Sequence, residues 1–301
     1  MSATSTGDRG HAAEKPSQIP LKGWKDIAIR VKDQLTKDHV SIVSAGIAFY
    51  FFLAIFPAIG AALSIYGLVM DPAQVAQQMS QLANHLPEQA HELIGGILEQ
   101  QSERSGAALG WGLVLSVLIS LWSANKGTRA LFEGINIAYY ETDKRGFIGK
   151  NAVTILFTLG GMVIGFIVIA MVAFLPALID KIALPPTLET LVQSLRWPIL
   201  TMIVILALAL VYKVAPYRKS PEFKWTSWGA IIATLLWLSG SLLFSLFVSN
   251  FGNFDETYGS FAAVIILMLW FFLSAFIVLL GAEINSEMEQ QTNRDTTPAA
   301  D

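Results

Sequence analysis

A run of 21 residues without a charge, Ser260 to Leu280, constrains this chain more than any other feature in it. Built as an α-helix rising about 1.5 Å per residue, it is about 31 Å long, which matches a hydrocarbon core of about 30 Å. Most of its side chains are Leu, Ile, Val or Phe, each worth roughly −0.3 to −0.6 kcal/mol at the centre of an inserted helix. The run is closed by Gly281-Ala282-Glu283-Ile284-Asn285. It reads as a membrane span, and the rest of the chain has to be organised around it.

Five further apolar stretches have the same character. With the first, they predict spans at about 42–70, 107–124, 152–179, 197–212, 225–248 and 260–282. The expected fold is therefore all-α, a polytopic membrane protein with six transmembrane helices. Composition agrees, since 53% of the residues are hydrophobic and only 14% charged, against about 25% charged in soluble domains. Residues 1–20 read as a disordered tail rich in Ser, Thr, Gly and charge. At 21–39 the spacing of Leu21, Trp24, Ala28, Val31 and Leu35 predicts an amphipathic helix lying in the headgroup region. A second interfacial helix is expected from Leu131 to Tyr140, after a polar break at Asn125-Lys126-Gly127-Thr128-Arg129. Residues 71–104 should form an extramembrane helical hairpin, and 286–301 a polar tail.

Orientation follows from the basic residues. All but three of the 20 Lys and Arg fall in the segments that share a side with the N-terminus, so both termini should be cytoplasmic. The polar first forty residues contain no apolar h-region, and no cleavable signal peptide is expected. With 0 Cys, disulfides, thiolate metal sites and a Cys nucleophile are excluded.

Within the six predicted spans there is no Asp, Glu, Lys, Arg or His. A charge at the bilayer centre costs about 2.5 to 3.5 kcal/mol and usually marks a proton relay or an ion site, so the chain lacks a midplane relay. Candidate functional positions therefore sit at the membrane edges or in helix breaks. Pro57 removes a backbone donor in mid-span and predicts a kink. Asn125, Lys126, Arg129, Glu283 and Asn285 gather on the side of the termini, where Glu283 could pair with Lys126 or Arg129. Asn250, Asn253 and Tyr258 could line a polar mouth on the opposite side, near Asp255 and Glu256. The only His-carboxylate cluster is His85, Glu88, His91 and Glu92, and it reads as solvated surface. No phosphate-binding Gly-rich loop, Gly-x-Ser-x-Gly elbow or zinc signature is present. The expectation is no catalytic residue, no metal and no cofactor.

Several stretches together resemble the YihY/BrkB family of bacterial inner-membrane proteins. They are Ser44-Ala45-Gly46-Ile47-Ala48-Phe49-Tyr50 with Phe56-Pro57, Leu121-Trp122-Ser123-Ala124-Asn125-Lys126-Gly127, Val211-Tyr212-Lys213-Val214-Ala215-Pro216, Ser249-Asn250-Phe251-Gly252-Asn253, Thr257-Tyr258-Gly259-Ser260 and Gly281-Ala282-Glu283-Ile284-Asn285. The resemblance covers about residues 22–290 and implies a six-helix inner-membrane protein with cytoplasmic termini. The family also carries an old ribonuclease BN label, which the chemistry disfavours. RNA hydrolysis needs metal ligands or an acid–base pair, and on the cytosolic side this chain has only His11 and His39. The expected function is transport-type, handling a lipid or small solute, with a homo-oligomer among the expected partners; the Gly161-xxx-Gly165 pair lets a neighbouring helix approach closely. The alternative is an envelope scaffold that binds partners through the outer hairpin 71–104. Beyond the lipid bilayer and such a ligand, no nucleic-acid partner is expected.

Overall fold

The computed structural model describes residues 9–11, 13, 15–69, 106–175, 179, 185–218, 223–250 and 261–292. Apart from short 3-10 turns near the N-terminus and at Phe261, they form seven long helices: α1 (Leu21–Lys37), α2 (Val40–Val69), α3 (Gly106–Ala138), α4 (Phe147–Ile169), α5 (Pro186–Val214), α6 (Phe223–Asn250) and α7 (Ala262–Gln291). A wider π-helical stretch, Ala170–Phe174, continues α4. Among the described residues there is no strand. Five helices are long and apolar enough to cross a membrane, within α2, α4, α5, α6 and α7. The predicted span at 107–124 lies within α3, which is charge-free from Gly106 to Asn125 and is not among these five. Large apolar side chains such as Leu156, Phe166, Leu206 and Leu242 stand exposed along these helices, as they do where lipid is the solvent. The chain is an all-α polytopic membrane protein.

The helices divide into two compact units. One comprises the described residues of Met1–Ala45, Thr128–Leu243 and Leu273–Asp301, and the other those of Gly46–Gly127 and Phe244–Phe272.

In the second unit, α2 runs through Pro57 without ending. Proline removes one backbone donor there, and the Ser120 hydroxyl of α3 supports this part of α2 by donating to the Ala54 carbonyl at 3.1 Å. The break expected at Asn125-Lys126-Gly127-Thr128-Arg129 does not occur, so the second interfacial helix is the last part of α3. Helix α3 continues because Gly127 serves for contact rather than for a turn. A Cβ at that position would stand 3.1 Å from the Phe51 ring. Lys126 reaches back one turn to lie 5.5 Å from the Trp122 ring centroid.

In the first unit, α1 shows where the sequence expectation needs correction. Part of its apolar stripe packs on protein. Ile27 and Val31, flanked by Trp24 and Leu35, pack on Met288, Ile284 and Leu280 of α7, while Leu21 and Ala28 of the expected stripe are exposed. The stripe is satisfied by protein because α7 extends well past its apolar run. At 30 residues it is about 45 Å long, against about 30 Å of hydrocarbon. The predicted last span ended at 282, and the residues after it, expected as a polar tail, are helical to Gln291. Helix α5 also starts earlier than its predicted span at 197. Pro186 sits in its first turn, where the missing N–H costs nothing, and Glu189 complements the positive helix end.

Helix α4 lies against α3 along a polar seam, with the Thr158 hydroxyl bonded to that of Thr128 at 2.9 Å. The end of α5 is held by side chains rather than by a glycine. Arg145 donates to the Val214 and Ala215 carbonyls at 2.6 and 3.2 Å, and the Asn136 amide donates to Ala215 at 3.2 Å while accepting from the Tyr217 N–H at 3.0 Å. These contacts satisfy carbonyls that have no partner within the helix, with a cation at the negative dipole end.

Candidate functional site

The face of α7 that carries Leu279 in the apolar run carries Glu283 and Glu287 at successive four-residue steps. Three features bring neighbouring helices close to it. A Cβ on Gly281 would stand 2.3 Å from the Tyr212 hydroxyl and 2.8 Å from the Ala233 methyl. Tyr212 reaches across to donate to the Val278 carbonyl at 2.7 Å. Asn285 accepts from the Gly229 N–H at 2.8 Å, in space that only a glycine leaves free. As a result the polar end of α7 is as buried as a core: Glu283, Asn285 and Glu287 each have 0% of their surface exposed.

Buried charges persist only when paired or neutralised, and the three glutamates here differ sharply. Glu287 pairs with the Arg30 guanidinium, which also donates to the Glu287 carbonyl at 3.2 Å. Its second oxygen accepts from the Tyr140 hydroxyl at 3.1 Å. Burial, reinforced by the Glu287 charge, pushes the Tyr140 phenol above its ordinary range, which keeps it a donor. Glu289 pairs with Arg218, whose guanidinium lies 4.1 Å from the Tyr139 ring centroid. Glu283 has neither kind of partner. No donor is directed at either of its carboxylate oxygens, and Oδ2 of Asp38 is buried in the same condition. The two carboxyls lie within hydrogen-bonding reach of each other.

Asp38 is presented by the corner between α1 and α2, where His39 takes a left-handed backbone with φ of 50°. Burial holds the Asp38 carboxyl above its ordinary range, and the Glu287 charge adds to this. The nearby Glu283 carboxyl, Lys37 and His39 pull the other way. Tyr140, the other described non-glycine residue with positive φ, at 56°, follows the end of α3 and donates to Glu287. Left-handed backbone at a bulky residue costs about 1 kcal/mol or more and persists where the surroundings enforce it. Both instances flank the carboxylates.

The structure brings together only part of the set expected from sequence. Glu283 and Asn285 lie in the cluster, with Glu283 beside Asp38. Lys126 belongs to the second unit and lies over Trp122. Arg129 is half-buried in α3 with its Nε unpartnered. Asn125 precedes Lys126 in α3, Pro57 lies within α2, and Asn250 closes α6. Asn253, Tyr258, the pair Asp255 and Glu256, the hairpin 71–104 and its His85, Glu88, His91 and Glu92 lie outside the described residues. Asp38, Arg30, Glu287, Tyr140 and Arg218 were missed. The signal for Glu287 was legible, because no glycine or proline interrupts the four-residue repeat after Gly281. Among the described residues, no group of three or more His, Asp or Glu could hold a metal ion. What the site can do is gain and lose protons at buried carboxyls.

The virulence factor BrkB family matches residues 31–301, which takes in all seven helices except the first part of α1. The chain belongs to the BrkB family. Among its relatives, the ribonuclease-like protein YfkH of Bacillus subtilis is 28% identical over 254 residues, covering 82% of this chain and 90% of its own. The UPF0761 membrane protein IL2447 of Idiomarina loihiensis is 28% identical over 243 residues, 77% of this chain and 79% of that one. The UPF0761 membrane protein NTHI0384 of Haemophilus influenzae is 23% identical over 273 residues, 88% and 96% of the two chains. No solved structure matches the chain. This BrkB-family chain is an integral membrane protein.

Proposed function

We propose that this chain is a transport-type protein of the bacterial inner membrane, not an enzyme, that moves or holds a small solute or lipid with its termini in the cytoplasm. One observation carries the reading. Glu283 is wholly buried immediately beyond the apolar run of α7, with no donor directed at either oxygen. A carboxyl in that condition costs several kcal/mol, whereas a well-packed apolar side chain would cost nothing. In membrane proteins such groups mark substrate and ion pathways. The ribonuclease-like name belongs to the Bacillus relative, and Glu283 and Glu287 have no accessible surface at which RNA could be cut. The basic residues on the side of the termini support the orientation.

Native mass spectrometry of protein released from mild detergent, followed by flux of whatever small molecule it retains in proteoliposomes, tests the proposal. A stoichiometric lipid or solute whose flux drops at least tenfold in Glu283→Ala is the expected result. Unchanged flux in both Glu283→Ala and Lys126→Ala removes these residues from the pathway. A C-terminal reporter that is active only outside the cytoplasm overturns the orientation.

A further inference from the structure

The Glu283 carboxyl and the enclosed Oδ2 of Asp38 raise a question that the transport reading leaves open. Glu283 and Asp38 Oδ2 have no N–H or O–H directed at them, yet the two groups lie within hydrogen-bonding reach of each other. Two carboxylates cannot donate to one another. A hydrogen bond between them exists only when one carries a proton, and like charges this close do not both ionise cheaply. We infer that Asp38 and Glu283 form a proton-binding site, one proton shared between the buried Glu283 carboxyl and the enclosed oxygen of half-buried Asp38 at the end of the last span.

The surroundings are built to leave that proton with the pair. Four elements present charge or a titratable group. From α1 come Arg30 and Lys37; from the α1–α2 corner, His39; from the end of α3, Tyr140; and from α7 itself, Glu287. Arg30 and the Tyr140 hydroxyl are already committed to Glu287, which leaves the pair without a fixed counter-charge. Lys37 and His39 sit beside Asp38 on exposed turns of backbone and act through space. Among the described residues no third carboxyl or imidazole completes a metal site with the pair, so a proton fits the space better than a cation with its ligand shell. Uptake takes the pair from two negative charges to one and makes no other bond. Because Glu283 follows the apolar run directly, the pair sits where a proton from the aqueous side of the termini would meet the membrane. The existence of the site stands apart from the transport reading, whereas a role in driving transport rests on it.

Infrared difference spectroscopy of the intact protein in nanodiscs, stepped in pH, reads the site directly. We expect a protonated-carboxyl stretch that disappears on raising pH through and above neutrality, and that is absent from Glu283→Gln and from Asp38→Asn. Linkage gives a second readout. The folded pair holds a proton that the unfolded chain releases, so the thermal midpoint of the wild type falls as pH rises from below 5 to 9. Glu283→Gln, which supplies an N–H in place of the proton, should flatten that fall. Absence of a titrating band overturns the site, as does an undiminished fall in both variants. A saturable rise in midpoint with Na+ or K+ at fixed pH overturns it in favour of an alkali cation. A titrating band in protein that shows no flux of any retained molecule keeps the site and removes the transport reading.

Discussion

The substitution Gly229→Ala tests whether the polar end of α7 is held by close approach of backbone. A Cβ built on Gly229 lies 2.3 Å from Oδ1, 2.4 Å from Cγ and 2.4 Å from Nδ2 of Asn285. Ordinary contact begins near 3.4 Å, so the Asn285 side chain has to move by about 1 Å. It cannot do so and keep the 2.8 Å bond from the Gly229 N–H. Overpacking costs about 1 to 3 kcal/mol, and a buried N–H and amide oxygen left without partners add about 1 to 3 kcal/mol. Taking the middle of both, the substitution destabilises by ~4 kcal/mol; at roughly 2 °C per kcal/mol for a chain of this size, the midpoint falls by about 8 °C. Thermal unfolding in a fixed detergent, followed by fluorescence-detected gel filtration, measures the shift. Adding Asn285→Ala should return part of the loss, since the clash disappears while the lost hydrogen bond remains, giving a coupling of ~1 kcal/mol or more between neighbouring sites. A fall of under 2 °C for Gly229→Ala, or strict additivity with Asn285→Ala, would refute the packing argument.

Three further substitutions probe the same framework. Arg30→Ala leaves the Glu287 carboxylate buried without its cation; because the arginine side chain is 37% exposed, the loss should lie toward the lower end of the range for a broken buried pair, ~2 to 3 kcal/mol, and Arg30→Met with Glu287→Leu should recover most of it in the same unfolding assay. Tyr140→Phe removes one charge-assisted hydrogen bond from a half-exposed phenol and should cost ~1 kcal/mol, whereas Tyr140→Gly, which also relieves the positive φ, should cost less than Tyr140→Ala; a larger loss for Gly than for Ala would contradict the backbone reading. Ser120→Ala withdraws the donor to the Ala54 carbonyl beside the proline of α2 and should lower stability by ~1 kcal/mol, measured as a midpoint shift of about 2 °C.

The apolar runs were legible because burial in lipid demands unbroken hydrophobicity over a fixed length, a constraint any sequence displays openly. The course of α3 was not. Asn125-Lys126-Gly127-Thr128-Arg129 has the composition of a loop, and only the Phe51 ring against Gly127 explains why helix persists through it. The end of α7 was misjudged for a related reason. A stretch as polar as Glu283–Gln291 ordinarily belongs to solvent, and its burial depends on Arg30 and Arg218, residues more than seventy positions away. Periodicity showed that α1 had an apolar stripe but not what covers it, and the helical phase fell on Ile27 rather than Ala28. Glu283 and Asn285 drew attention because they close a span, while Asp38, half-buried with its Oδ2 enclosed, lay hidden in a charged stretch between two helices.

The length of α7 bears on how the protein is made. Its last nine residues supply the partners of Arg30 and Arg218 and the acceptor for the Gly229 amide, and a ribosome delivers them after every one of those groups has been synthesised. Until α7 is threaded and docked, two arginines and a helix corner wait with their counterparts still missing, however well the earlier spans have inserted. Assembly on this side of the membrane is thus a final, concerted event rather than a gradual one. A chain stalled before Glu283 would carry cationic and backbone groups without their counterparts as a mark of incompleteness.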